Sequence, residues 1–196
     1  MIETPWGYAI DEDAMPAIID RYAFDELTGG RWAGDCRVQP SIDAVSSAVR
    51  DFCGWHVGPS CDCTMTLDGE PGDIWLPVAH LSAVSSVEVD GAEVEVAGFS
   101  RRGRIRLAQP AACGLGNVTV SFTAGLPTAS LGALVSSLKD AVVAQIALTS
   151  YGISQETAGD VSISYSGSAL SSQGMALPMS VRSALAPYRV VRAHAV

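Results

Sequence analysis

The run Val84-Ser-Ser-Val-Glu-Val-Asp-Gly-Ala-Glu-Val-Glu-Val96 decides how the middle of this chain folds. Val87 and Val89 flank Glu88, and Val94 and Val96 flank Glu95, a period of two that turns one face of each strand to a core. Asp90-Gly91 lies at the centre and supplies the positive φ angles that a tight hairpin requires. Ala92 and Glu93 leave the loop length open between about two and four residues. The same period extends both ways. Upstream, Cys63, Met65 and Leu67 alternate with Thr64 and Thr66; downstream, Arg104 to Leu107 and Val118 to Phe122 read as strands, the second with Val118, Val120 and Phe122 on one face.

Either side of this β region the period changes. Ser41 is placed to cap a helix over 41–53 in which Ile42, Val45, Val49 and Phe52 recur at helical spacing, Asp43, Ser46, Ser47 and Arg50 face away, and Gly54 stops the run. A longer helix is predicted over 131–151, with Leu131, Leu134, Val135, Leu138, Val142, Ile146 and Leu148 apolar. Only Lys139 and Asp140 are charged, so burial on most sides is expected, within the domain or between subunits. Val161 to Tyr165 offers a short strand, residues 164–174 a Ser-Gly-rich loop, and Ser180 to Ala186 a short helix closed by Pro187. Residues 1–40 read as an irregular arm with at most one helix, Asp13 to Leu27, admitting Pro16 in its first turn. Helix and strand runs are segregated, so the fold class is α+β: a small helical bundle with an antiparallel β lobe, about 61–124, inserted between its helices.

Composition narrows the function. The 196 residues carry a formal net charge of −9, against the cationic surface needed to displace phosphate counterions, so nucleic acid is not the expected ligand. An acidic surface facing DNA lets it slide past. Only 17% of residues are charged, and Gly and Ser are frequent, giving much small, uncharged surface that is cheaply covered by neighbours. No stretch reaches the roughly 18 apolar residues of a membrane span, and Met1 to Ile10 lacks a signal-peptide pattern; no membrane association is expected, and synthesis in a cytoplasm is. The five cysteines, an odd number with no repeating framework, are expected to be reduced.

Chemistry is poorly supplied. His56, His80 and His194 lie in no catalytic motif, and Gly114-Leu115-Gly116 reads as a turn between strands, not a phosphate cradle. The chain is therefore expected not to be an enzyme, with no catalytic residue and no cofactor. Cys53-x-x-His56 followed by Cys61-x-Cys63 offers four ligands suited to tetrahedral Zn²⁺, and a small metal-binding or thiol-dependent protein using them is the alternative. Against it, the Cys61 and Cys63 side chains are expected on opposite faces of a strand, so no metal is assigned and Cys53 is read as a small buried hydrophobe. Arg101, Arg102, Arg104 and Arg106 concentrate a third of all Lys and Arg, either as edge-strand protection or as a contact with an acidic patch on a partner subunit.

Five words of sequence occur in a telling order: Asp51-Phe-Cys-Gly-Trp-His-Val-Gly-Pro59, Met65-Thr-Leu-Asp-Gly69, Ile74-Trp-Leu-Pro77 with Val78-Ala-His-Leu81, Val84 to Gly91, and Phe122-Thr-Ala-Gly125 before the long helix. With Leu185-Ala-Pro-Tyr-Arg189 near the end, this resembles the head-to-tail connector (adaptor) proteins of tailed phages, actinobacteriophage type, over about residues 32–189. Cys61 and Cys63 depart from that pattern. The resemblance implies a structural virion protein of the neck, in a ring usually of about twelve copies between the portal protein and a stopper or head-completion protein, with DNA passing through unbound. A stopper or other minor capsid component is the nearest alternative. On this reading residues 41–177 are the connector domain and Pro178 to Val196, without any acid, is a segment that orders on the portal through Arg182, Leu185, Tyr188, Arg189, Val190, Val191 and Arg192.

Overall fold

A computed structural model describes residues 1–127, 132–150, 155–158, 161–164 and 177–190. The elements run, in chain order, β1 (Ile2–Glu3), β2 (Ala9–Ile10), α1 (Arg21–Leu27), α2 (Val38–Cys53), β3 (Cys61–Gly69), β4 (Ile74–Trp75), β5 (Leu81–Val89), β6 (Ala92–Glu93), β7 (Val96–Phe99), β8 (Arg104–Leu107), β9 (Gly114–Ala124), α3 (Gly132–Ser150), β10 (Gln155–Ala158), β11 (Val161–Ser164) and α4 (Met179–Leu185), the last followed by a 3₁₀ turn, Ala186–Tyr188. The fold is α+β, and every strand pairing among the described residues is antiparallel.

The chain divides into two compact units: Met1–Ile18, Arg50–Gly132 and Ala186–Val196 form one; Ile19–Val49 and Ala133–Leu185 form the other. The first unit holds a six-stranded sheet ordered β1-β2-β3-β9-β5-β6 and a three-stranded sheet ordered β4-β8-β7. Period-two patterning explains the large sheet: Cys61 and Cys63 on β3, Val87 and Val89 on β5, and Val118, Val120, Phe122 and Ala124 on β9 are all buried. Each large apolar side chain so covered contributes roughly 1.5–3 kcal/mol. The hairpin loop has two residues, since Val89 pairs with Ala92, and Asp90 and Gly91 carry φ of 52° and 77°, the pair of positive angles of a type I′ turn.

The arm expected over 1–40 is divided. Its first ten residues form β1 and β2, which join the large sheet where Ala9 meets Thr64 and Ile10 meets Cys63, and Trp6, Tyr8 and Ile10 are core residues. The helix expected from Asp13 is only α1, because Asp20 is the N-cap: its carboxylate accepts from the Ala23 N–H at 2.8 Å.

In the second unit, α1, most of α2, α3 and α4 supply the core, with Phe24, Val38, Ile42, Val45, Val49, Leu138, Val142, Ile146, Val181 and Leu185 buried. Helix α2 starts earlier than Ser41, at Val38, with Pro40 in its first turn where no amide partner is lost. Helix α3 is less enclosed than its apolar sequence suggests. Leu134, Leu138, Ala141, Val142 and Ile146 are buried, whereas Gly132, Ser136, Asp140 and Ala144 line an exposed stripe. Strands β10 and β11 pair as a hairpin, so the short strand read from Val161 has a partner, Gln155–Ala158. The Ser-Gly-rich stretch lies, beyond Ser164, outside the described residues.

Candidate functional site

A buried polar node forms in the first unit where α2 ends. Gly54, at φ 76°, breaks the helix and sends the chain through Trp55, His56 and Val57 toward β3. Val57 has φ 67°, a left-handed conformation costing a β-branched residue about 1–2 kcal/mol, and its carbonyl accepts from the Leu126 N–H at 2.8 Å. His56 is fully buried. Tyr8 Oη accepts from the His56 backbone N–H at 3.1 Å and donates to Nδ1 at 2.8 Å, while Nε2 faces the Ala124 carbonyl at 3.0 Å. Two facing acceptors repel, so the proton sits on Nε2 and every polar atom of the ring is satisfied. Burial pushes the Tyr8 hydroxyl above the usual tyrosine range, which keeps it a donor.

Arg50 closes this node from α2. It donates from Nε to the His56 carbonyl at 3.0 Å, and from Nη2 to the carbonyls of Pro16 and of Gly58, the latter at 3.4 Å. The helical-face reading put Ser46 and Arg50 toward solvent; both are buried, and for Arg50 three main-chain carbonyls replace water. Asp43 and Ser47 do face solvent.

His56, Cys61 and Cys63 bring three ligand atoms within 4.8 Å of one another. The expectation that the two cysteines diverge is corrected. Residues two apart on a strand share a face, and both thiols lie on the buried side of β3. The Cys63 thiol and the His56 Nε2–H lie within reach of the Cys61 sulfur, 3.5 Å from Nε2, which favours its thiolate; Cys63, as the partner that keeps the proton, is pushed up. Cys53 stands outside this group, and burial pushes its thiol up to about 12. The set thus offers three donors where a closed structural zinc site takes four, and Nε2 is already engaged by the Ala124 carbonyl. The arrangement suits a packed core better than a metal centre.

The second candidate surface is the three-stranded sheet. On β8, Ile105 and Leu107 are buried while Arg104 and Arg106 share the outer face. Both pair with Asp73, Arg106 at 2.9 and 3.2 Å, and Arg104 lies over the Trp75 ring at 5.3 Å. Arg106 and then Arg104 hold the Asp73 carboxyl at about 2. Arg101 and Arg102 occupy the exposed turn between β7 and β8 and pair with no carboxylate among the described residues. Gly103 makes that turn possible: its φ is 81°, and a Cβ there would meet the Leu76 carbonyl oxygen at 2.6 Å.

The third is the C-terminal segment. Val181 and Leu185 are buried within the second unit, so the Leu185 side chain is not on an open surface. In the first unit, the Trp55 indole N–H donates to the Tyr188 carbonyl at 2.7 Å, the Val190 N–H donates to the Cys53 carbonyl at 2.8 Å, and Arg189 lies 5.5 Å over the Phe52 ring. Arg182 and Arg189 are exposed; Val191 and Arg192 lie outside the described residues. Tyr8, Arg50 and Asp73 were not singled out from the sequence as members of these clusters. For Tyr8 a signal existed in the alternation of Trp6, Tyr8 and Ile10.

The model of one protein family, described as head completion protein, matches residues 23–191. Two solved structures have a similar fold. A chain of the "neck of empty GTA particle computed with C6 symmetry" is 17% identical with a TM-score of 0.56, covering 94% of this chain and 96% of that one. A chain of the "neck of native GTA particle computed with C12 symmetry" is 16% identical with a TM-score of 0.51, covering 90% and 95%. No curated protein is matched by sequence.

Proposed function

The chain belongs to the head completion protein family, and from that premise we propose that it is a structural subunit of a phage-type neck, an adaptor that assembles in a ring between the portal and a stopper or tail component. The observation that carries this reading is the family match over residues 23–191. The likeness in fold, over almost the whole of each chain, to proteins of necks reconstructed with C6 and C12 symmetry supports a ring. The polar clusters agree with a structural role. The buried one is spent on holding main chain together, and the exposed one is a cation-rich strand face.

The ring assembles from subunits made in the host cytoplasm and stays in the virion neck. DNA passes without being gripped, because a chain of net charge −9 repels phosphate wherever its acids face the channel. The portal contact falls to the C-terminal segment. Within the described residues, Tyr188 and Arg189 of the first unit and, on the second unit, Arg182 are its candidates, and an acidic portal face is the complement.

The test is electron microscopy of the full chain mixed with portal-bearing heads. A ring layered directly on the portal is the expected image; density in the next layer down makes the chain a stopper, and no binding removes it from the neck. Arg189→Glu, with folding checked by circular dichroism, is expected to weaken attachment at least about tenfold.

A further inference from the structure

The first unit carries opposite charge at the two ends of strand β5. At its start, the Arg101 carbonyl accepts from the Leu81 N–H at 2.7 Å, which fixes the Arg101-Arg102 turn beside that end. Trp75 and Phe99, 63% and 46% exposed, lie on the same small sheet, with Trp75 paired to Arg104 and Phe99 to Ile105. Exposed aromatic rings beside arginine are the composition of interaction hot spots. Arg104 and Arg106 share the single Asp73 carboxylate and stay net positive, and Arg101 and Arg102, with no carboxylate partner among the described residues, add their charge to this end.

At the finish of β5 the sign reverses. Glu88 stands directly opposite Glu93 across the hairpin, a like-charge cross-strand pair that destabilises the isolated subunit. Asp90 follows in the turn, and Glu95 is exposed beyond it. The Asp90 N–H donates to the Asn117 carbonyl at 2.8 Å and the Gly116 N–H to Asp68 Oδ1 at 2.7 Å, so Asp68 and the 90% exposed Leu115 belong to this same end. From Leu81 to Glu88 the strand spans roughly 20 Å. None of Glu88, Asp90, Glu93 and Glu95 has a cation within ion-pair reach among the described residues.

We infer that these two ends are the two halves of one contact between copies of this chain: the Arg101-Arg102 turn of one subunit docks on the Glu88–Glu93 edge of the next. This rests on the neck reading and names the surface that joins neighbours in the ring. Complementary patches at opposite ends of one lobe make a heterologous, head-to-tail contact, which closes into a ring when the rotation per subunit allows. The unrelieved Glu88–Glu93 repulsion makes sense in the same terms, since it is relieved only when the neighbour's arginines arrive.

The experiment uses full chains on portal-bearing heads, with assembly read by mass photometry and electron microscopy. One variant carries Arg101→Glu and Arg102→Glu, the other Glu88→Lys and Glu93→Lys. All four positions are exposed, so circular dichroism and melting temperature should be unchanged. Each variant alone presents like charge at both halves of the contact and is expected to lose ring formation at least about tenfold. An equimolar mixture should recover it, because acid-ended and base-ended subunits alternate around the ring. If both variants assemble as the parent does, or the mixture fails while both are folded, the contact is refuted and the neck reading stands. If the parent itself forms no ring on the heads, the neck reading fails and the contact with it.

Discussion

The His56 node and the Asp73 node are both polar clusters built around one acceptor-rich centre, yet they do opposite work. Around His56, the Tyr8 hydroxyl, the His56 N–H, Nε2 and the Arg50 Nε find buried main-chain or side-chain partners at 2.8–3.1 Å. Removing one member leaves a buried polar atom without a partner, so this cluster governs stability. Around Asp73, two arginines share one carboxylate at the surface, where solvent screens the attraction and stability gains little. What the exposed cluster controls is the charge of an outer strand face. The lesson is that burial, not the number of hydrogen bonds, decides whether a polar cluster holds the fold.

Arg50→Met attacks the contrast hardest. It strips the donor from the carbonyls of Pro16, His56 and Gly58 and should cost about 3 kcal/mol or more, measured by urea unfolding. A loss under about 1 kcal/mol would mean that water reaches those carbonyls and that the node is not closed. Tyr8→Phe is the smaller cut. It orphans the His56 N–H and Nδ1 while keeping the ring's packing against Phe122, for an expected loss of about 1–3 kcal/mol.

Asp73→Asn should be close to neutral at pH 7, and its effect lies in the pH profile. The folded carboxyl is held at about 2, below its ordinary 3.8, so whatever the pairs contribute is present above about pH 4 and is lost as pH falls toward 2. The parent's small advantage over Asp73→Asn should therefore close across that interval in acid titrations of unfolding. An advantage that persists at pH 2 would show that the carboxyl matters by packing and not by charge.

How far the sequence carried this follows from the physics of each element. Hairpin Asp90-Gly91, strand β8 and the face of β9 were legible because period two and turn chemistry are local. The core face of α2 was legible for its apolar residues and misread at Arg50, since helical periodicity assumes that a cation seeks water. Its three carbonyl partners come from segments that only tertiary structure brings together. Strands β1 and β2 have two residues each, so the hairpin that delivers Tyr8 to His56 left only the short alternation of Trp6, Tyr8 and Ile10 as its signal. The alternation along β3, applied correctly, would have put Cys61 and Cys63 on one face from sequence alone.

The division of the chain into units has a consequence for its synthesis. Each unit is assembled from pieces far apart in sequence: α2 and α3 of one are separated by the whole β lobe, and the other begins at β1 yet is tied at Tyr188 and Val190 to Trp55 and Cys53. On a ribosome adding about 5–20 residues per second, the second unit lacks its last piece until residue 185 has emerged, and the first lacks its Tyr188 and Val190 hydrogen bonds until residue 190 has. Until then the apolar face of α2 and the Trp55 indole wait, for some ten seconds or more, for chain not yet made. A chain cut short before Tyr188 leaves the Trp55 indole N–H without that acceptor and the Cys53 carbonyl without the Val190 N–H.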